Sequence, residues 1–482
     1  MGSLAHDQPP QLTASSIAIE PPTNRRQLTL LDATCIMLGI VVGSGIFKTP
    51  VEVAGVSSSV FILISVWLGG GIASLLGALC FAELSTRYPE DGGSYAFLNR
   101  AYGSWAGFLF AWTDFWIVRP ANAGAVAIVL GSYAQAAWPS PWGSATYAIA
   151  AVLLATSIHV AGLQAGRWSQ NGMTLAKVAG LMVIAAAACT MTPGSSATSG
   201  TTNSLVADWP KAFVLVMFCY GGWSDLSNVA AEVREPSRNL LRALVLGTAA
   251  ITVTYLVING AAVHALGLGR LAASKTFAGE IVAARLATAG EGMAQAGQQF
   301  VTLLVIVSCL GSLSGVIFTG ARVYYALGRE HTLFAWLRNW DFRRSTPRQS
   351  LLAQAMISCM LLAATGRDDQ GFDRLVIFAA PCYWGFMLLA TLAVIVLRHR
   401  DRHTAIPFGV PLYPVVPLAF ALICGLLVAA SVPFVAENLK IEAWYSVVVI
   451  IVGLLIAVLS AGRKLSKPSS SDEQSASVAG SD

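Results

Sequence analysis

The chain has 482 residues, of which 55% are hydrophobic and only 11% charged, with a formal charge of +5. A soluble protein carries about 25% charged residues to cover its surface, so this composition excludes a soluble enzyme, a nucleic-acid-binding domain and a disordered chain. What remains is a polytopic membrane protein, in which the small basic excess is loop charge that sets orientation.

Residues 1–28 are polar and Pro-containing and lack the apolar stretch of a signal peptide; they read as a disordered tail. A spanning helix needs roughly 20 mainly apolar residues. Such segments fall at 30–53, 60–82, 104–137, 145–165, 171–192, 210–232, 240–265, 297–325, 350–366, 372–397, 412–434 and 443–462. The stretch 274–290 predicts a helix too polar to span, lying at the interface or outside. Residues 466–482 are Ser-rich and read as a second disordered tail. With about twelve spans both termini share one side. Twenty of the 30 basic residues fall on that side and seven on the other, with Lys48, Arg119 and Lys177 inside spans. The positive-inside rule therefore predicts cytoplasmic termini. The eight cysteines form no CxxC pair, so neither a disulfide framework nor a zinc site is expected. No cofactor is implied.

The first span contains Leu38-Gly39-Ile40-Val41-Val42-Gly43-Ser44-Gly45-Ile46-Phe47, and the sixth Phe218-Cys219-Tyr220-Gly221-Gly222-Trp223-Ser224-Asp225. Each Gly weakens a helix by about 1 kcal/mol relative to Ala. Gly-interrupted spans in corresponding positions of two halves point to a transporter site. Spans 1 and 6 correspond if the core is five helices plus five of inverted topology. At the first break, the N–H groups of Ser44, Gly45 and Ile46 would start a half-helix, which suits an anionic carboxylate. At the second, the carbonyls of Phe218, Cys219 and Gly221 would lose their partners, which suits an ammonium. The two together describe the backbone of an α-amino acid. The competing reading is that the glycines only permit tight helix packing.

Charges inside spans are costly and therefore mark candidate sites. Lys177 in span 5 either snorkels to the interface or is a fixed cation near the first break, in place of a bound sodium ion. Asp114 and Arg119 read as an ion pair, or Arg119 lines a path outward. Asp225 reads first as a cap on the lower half of helix 6, and second as a substrate or proton contact. Lys48 and Glu52 have i,i+4 spacing. Glu83 and Glu232 fall at cytoplasmic helix ends, where loop arginines could meet them. Phe218, Tyr383 and Trp384 are packing aromatics or gates.

Five stretches carry a family resemblance: Gly43-Ser44-Gly45-Ile46-Phe47, Tyr220-Gly221-Gly222-Trp223, Glu232-Val233-Arg234-Glu235-Pro236-Ser237-Arg238-Asn239, Gly328-Arg329-Glu330 and Leu397-Arg398-His399-Arg400. With them the chain, over about residues 27 to 465, resembles the amino acid–polyamine–organocation superfamily and within it the L-type amino acid transporters. The resemblance implies an all-α membrane protein with the leucine-transporter fold, a 5+5 inverted repeat (29–192 and 210–397) plus two helices (398–465). It implies alternating access, as a sodium-independent exchanger, with the Gly-Ser-Gly amides on the substrate carboxylate and the unwound sixth helix on the amino group. By resemblance Lys177 stands where relatives bind sodium, Phe218 is an outer gate and Trp384 lies near the substrate side chain. Animal members join a heavy chain through a cysteine after span 3. Trp138 to Thr146 contains none, so no disulfide-linked heavy chain is expected. Ser224-Asp225 replaces a commoner Asn-Tyr pair.

The expected protein is thus a multi-pass plasma-membrane transporter of small or medium neutral L-amino acids, and not an enzyme. Its expected substrate-binding residues are Val41, Gly43, Ser44, Gly45, Ile46, Phe218, Cys219, Gly221, Ser224 and Trp384, with Lys177 and Asp225 for coupling; Ser312, Ser314 and Gly315 add small walls. The alternative is a proton-coupled symporter with Asp225 or Lys177 titrating. A membrane enzyme or channel is the rival from another class; neither an HExxH motif nor a repeated pore loop is present.

Overall fold

The computed structural model describes residues 26–193, 209–365 and 371–460. The expected C-terminal tail and all but 26–28 of the N-terminal one lie outside these residues, as does Arg367. Span 1 is two half-helices, α1 (Leu30–Val41) and α2 (Gly45–Val56), bent by 43°. Span 2 is α3 (Val60–Arg87), followed by the short α4 (Ser94–Tyr102). Span 3 comprises α5 (Ser104–Thr113), a π-helical turn at Asp114–Val118 and α6 (Arg119–Ala137). Spans 4 and 5 are α7 (Ser144–Ala161) and α8 (Leu163–Cys189). Span 6 is broken again, into α9 (Trp209–Tyr220) and a 3₁₀ helix, Trp223–Glu232. Span 7 is α10 (Pro236–Leu266), followed by α11 (Leu268–Ala273) and α12 (Phe277–Leu286), where a helix too polar to span was expected. Spans 8 to 12 are α13 (Glu291–Glu330), α14 (Arg348–Thr365), α15 (Gly371–Arg400), α16 (Val415–Asn438) and α17 (Lys440–Ser460). The protein is an all-α membrane protein of about twelve helices.

Local chemistry sets the ends. Thr29 and Asp32 form a reciprocal capping box at the start of α1, with bonds of 3.0 and 3.2 Å. Ser59 caps α3 by accepting from Ile62 N–H at 3.3 Å. Span 6 breaks because Gly222 takes φ +97°, a backbone region that costs a residue with a side chain roughly 1–2 kcal/mol.

Helices five spans apart pack on one another: α1 and α2 on the two parts of span 6, α3 on α10, α6 on α13, and α7 on α14. This is the pairing expected of two five-helix halves of inverted topology. It brings both helix breaks to one place. Leu28 and Val233 add a single parallel bridge that ties the entry of span 1 to the exit of span 6, through Leu28 N to Glu232 O at 2.9 Å and Arg234 N to Leu28 O at 2.9 Å.

Candidate functional site

The two breaks are asymmetric in their hydrogen bonding. Every carbonyl at the end of α1 is occupied. Gly39 O accepts from Lys177 Nζ at 2.8 Å and Ile40 O from Ser312 Oγ at 2.6 Å. Val41 O accepts from Gly43 N–H and from Tyr255 Oη, both at 2.9 Å. Val42 O accepts from Lys177 Nζ at 2.9 Å and Ser308 Oγ at 3.2 Å. The donor side of the same break is open. Among the described residues, no backbone acceptor is found for the N–H groups of Ser44, Gly45 or Ile46, and the buried Ser44 Oγ has no partner. Unpaired N–H groups at a half-helix start, with the positive end of the dipole, form an anion site.

The second break corrects the expectation for its carbonyls. Phe218 O is taken by Gly221 N–H at 2.9 Å, in a tight turn, and Cys219 O by Tyr255 Oη at 3.1 Å. Gly221 O is left without a partner among the described residues. Each occupied carbonyl keeps a second lone pair, so Gly221 and its neighbours still offer acceptors to an ammonium. Tyr255, buried on α10, reaches both breaks with one hydroxyl; sequence spacing gave no sign of it.

A cavity of about 810 Å³, its mouth included, lies between the breaks and is lined by Val41, Gly43, Ser44, Gly45, Phe218, Cys219, Gly221, Asp225, Ser312 and Trp384. Ile46 and Ser224, also expected there, do not line it, nor does Lys177, which was expected as a fixed cation near the first break. Ile46 contributes only the start of α2, Ser224 is buried within the 3₁₀ turn, and Lys177 lies behind the α1 carbonyls. Ser314 and Gly315 also face elsewhere. Ser314 Oγ meets the buried His159 Nε2 at 2.8 Å, and Gly315 packs on Ile40. Residues not anticipated in the wall are Ile40, Asn122, Val126, Val214, Val316 and Val376, with Ala379 and Ala380 just before Pro381 inside α15.

Lys177 is fully buried, so it does not snorkel. Its ammonium has three carbonyl ligands, those of Gly39, Val42 and Ser308, the last at 3.1 Å. The three carbonyls satisfy all three ammonium donors.

Asp225 does not cap its helix; Gly222 holds the cap position. Its carboxylate instead accepts from Arg119 Nη1 at 2.7 Å and Nη2 at 3.2 Å. Arg119 Nε also donates to Asp114 at 3.3 Å, and Tyr324 Oη donates to Asp114 at 3.0 Å. Two carboxylates thus share one guanidinium at the wall of the cavity. The π-helical turn makes this possible, because its wider winding sets Asp114 and Arg119, five residues apart, on one face. π turns of this kind are frequent at functional sites.

At the end where α2 finishes and α15 begins, Phe218 meets Phe372 edge-on at 5.6 Å. Lys48 lies over that Phe372 ring and bonds Asp373 at 3.3 Å. The expected Lys48–Glu52 pair is therefore replaced by a link between spans 1 and 10. At the opposite end Glu232 binds Arg322 at 2.8 and 3.2 Å, with both side chains fully buried, and Glu83 binds Arg398 at 2.6 Å. The arginines come from helices α13 and α15, not from loops.

Two broken spans, meeting at a cavity with unpaired donors on one side and backbone acceptors on the other, define a secondary transporter for amino acids. The chain belongs to the amino acid permease family, whose model matches residues 28–456. It is 28% identical to the b(0,+)-type amino acid transporter 1 of Mus musculus over 471 residues, 95% of this chain and 92% of that one. It is also 28% identical to the human cystine/glutamate transporter over 86% of this chain and 82% of that one. The serine/threonine exchanger SteT of Bacillus subtilis matches at 28% over 82% of this chain and 88% of its own. The protein is a membrane transporter of amino acids, and not an enzyme.

Proposed function

We propose that the protein is a sodium-independent exchanger of small or medium neutral L-amino acids in the plasma membrane, with both termini cytoplasmic. The observation that carries this is the asymmetry at the first break, where four carbonyls are occupied and three N–H groups with Ser44 Oγ are open. The substrate carboxylate takes those donors, and its ammonium takes Gly221 O and nearby carbonyls. Residues 29–192 and 210–397 act as the two inverted repeats, and 398–465 as added helices. Lys177 holds the place of a sodium ion, which makes sodium unnecessary. Arg119 is engaged by two carboxylates, so among the described residues the cavity offers no free cation to an acidic side chain. Phe218 closes over the substrate from outside, and Trp384 faces its side chain. The name of the serine/threonine exchanger agrees with exchange of small neutral substrates. The absence of cysteine between Trp138 and Thr146 supports a protein without a disulfide-linked heavy chain.

One observation favours a second reading. Two carboxylates around one guanidinium leave a negative charge that a proton could neutralise, which would make the protein a proton-coupled symporter through Asp225. Radiolabelled uptake into proteoliposomes separates the two. Exchange requires internal amino acid and ignores a pH gradient; symport does the reverse.

A further inference from the structure

A second, apolar groove runs along the outer face between α7 and α14 and shares no lining residue with the transport cavity. Leu153, Ser157 and Val160 line one wall, Met356 and Met360 the other, and Arg344 closes one end. The hydroxyls in the wall are turned onto their own helix. Thr156 Oγ1 donates to Val152 O and Ser157 Oγ to Leu153 O, both at 2.8 Å. Leu153, Met356 and Met360 are each more than half exposed, and on a face turned to the bilayer the material that covers them is an acyl chain. Unbranched methionines adapt to such a flexible occupant.

The end of the groove is charged. Arg344 sits on a loop fixed in place by Leu163 N to Arg344 O at 2.9 Å and Thr346 Oγ1 to His159 O at 3.2 Å. Its guanidinium makes one bond, from Nη1 to Val160 O at 3.3 Å. Among the described residues, no carboxylate lies within ion-pair distance of Arg343, Arg344 or Arg348, all exposed. Asp341 in the same loop is engaged by the N–H groups of Arg343 and Arg344, each at 3.1 Å. Trp168, largely exposed, is an aromatic residue of the kind that settles at headgroup depth. Free arginines at that depth attract anionic lipid.

We propose that this groove binds one anionic phospholipid, with its phosphate on Arg344 and an acyl chain between α7 and α14. The lipid would brace spans 4 and 9, a pair drawn from the two halves. The leaflet it comes from follows the orientation proposed above; the site itself does not depend on the transport reading.

The test uses the full-length protein in detergent with palmitoyl-oleoyl phosphatidylglycerol or the matching phosphatidylcholine. Phosphatidylglycerol is expected to raise the melting temperature by roughly 2–4 °C over phosphatidylcholine, and native mass spectrometry to retain one copy of it. Arg344→Gln removes the charge, and Ser157→Trp fills the groove with the charge intact; both are expected to lose the shift. Arg402→Gln, an exposed arginine after α15, is expected to keep it. Equal shifts from the two lipids, a shift retained in both groove variants, or equal loss in Arg402→Gln would overturn the site. A matching shift from soluble glycerol 3-phosphate, or a protein dimer dissociated by Ser157→Trp, would also overturn the lipid as its occupant.

Discussion

Gly45 is where the two broken spans touch. A Cβ placed on it would lie 2.4 Å from Cys219 Sγ, 3.2 Å from Cys219 Cβ and 3.3 Å from Cys219 Cα. The sulfur can rotate away by giving up its 3.0 Å contact with Thr49 Oγ1. The backbone of Cys219 cannot, so α2 and α9 must separate. Overpacking of this kind costs about 1–3 kcal/mol. If the strain falls on the substrate-bound arrangement, Gly45→Ala weakens binding by roughly 5- to 150-fold, while the fold, with about 5–15 kcal/mol to spare, persists. Adding Cys219→Ala removes the sulfur clash but leaves the rest of residue 219 in the way, so the double variant recovers only part of the loss. Gly45→Val adds two further carbons and abolishes uptake. Thermal-shift titration with serine or leucine measures the binding change, and counterflow in proteoliposomes measures transport. Wild-type transport by Gly45→Val, with an intact melting transition, would refute the helix-break site.

Three more outcomes are expected. Glu232→Gln strands the buried Arg322 guanidinium at a cost of about 3–5 kcal/mol, seen as a clear fall in melting temperature; Glu232→Gln with Arg322→Met recovers most of it, and an unchanged melt argues against a buried pair. Lys177→Ala leaves carbonyl oxygens of the kind hard cations take, so sodium chloride, but not choline chloride, raises the melting temperature of this variant and not of wild type. A variant indifferent to sodium rejects the cation-surrogate role. Asp401 lies beyond the membrane end of α15. Burial pushes its carboxyl up, but the Tyr88 hydroxyl, donating at 2.7 Å, with Arg400 and Arg100 holds it below the ordinary 3.8. A depressed carboxylate stabilises the fold above the unfolded value and loses that contribution as pH falls through the folded one. Melting temperature therefore drops between pH 5 and pH 3 more steeply in wild type than in Tyr88→Phe, and parallel curves would refute the link.

The parts of this protein that were legible in its sequence are those with local causes. Glycines within an apolar run announce a break wherever the run is long enough to span, so Gly43 and Gly221 pointed at the cavity. A buried charge such as Lys177 stands out against a 55% hydrophobic chain. What local spacing could not supply was partners. Lys48 and Glu52 have helical spacing, yet the carboxylate that Lys48 meets is 325 residues away. Asp225 has the look of a cap, but a guanidinium 106 residues earlier is the stronger partner once packing brings it within reach. Tyr255 lies on a plain apolar helix, and only the meeting of spans 1, 6 and 7 gives its hydroxyl two acceptors. Two expected wall residues, Ile46 and Ser224, are in the right segments but do not line the cavity, because a helix presents only some of its side chains to one side.

The charge cluster around Arg119 has a consequence for biogenesis. Lys177 finds Gly39 and Val42 within the first five spans, so two of its three bonds can form as soon as span 5 is made. Arg119 finds only Asp114 there; Asp225 and Thr319 follow 106 and 200 residues later. At about 5–20 residues per second, roughly 5–20 s pass between synthesis of Arg119 and of Asp225. During that interval a guanidinium and its single carboxylate must wait in or beside the bilayer. The half-made protein is therefore the state most exposed to insertion factors and membrane proteases, and substitutions at Asp225 will lower its yield before they alter its transport.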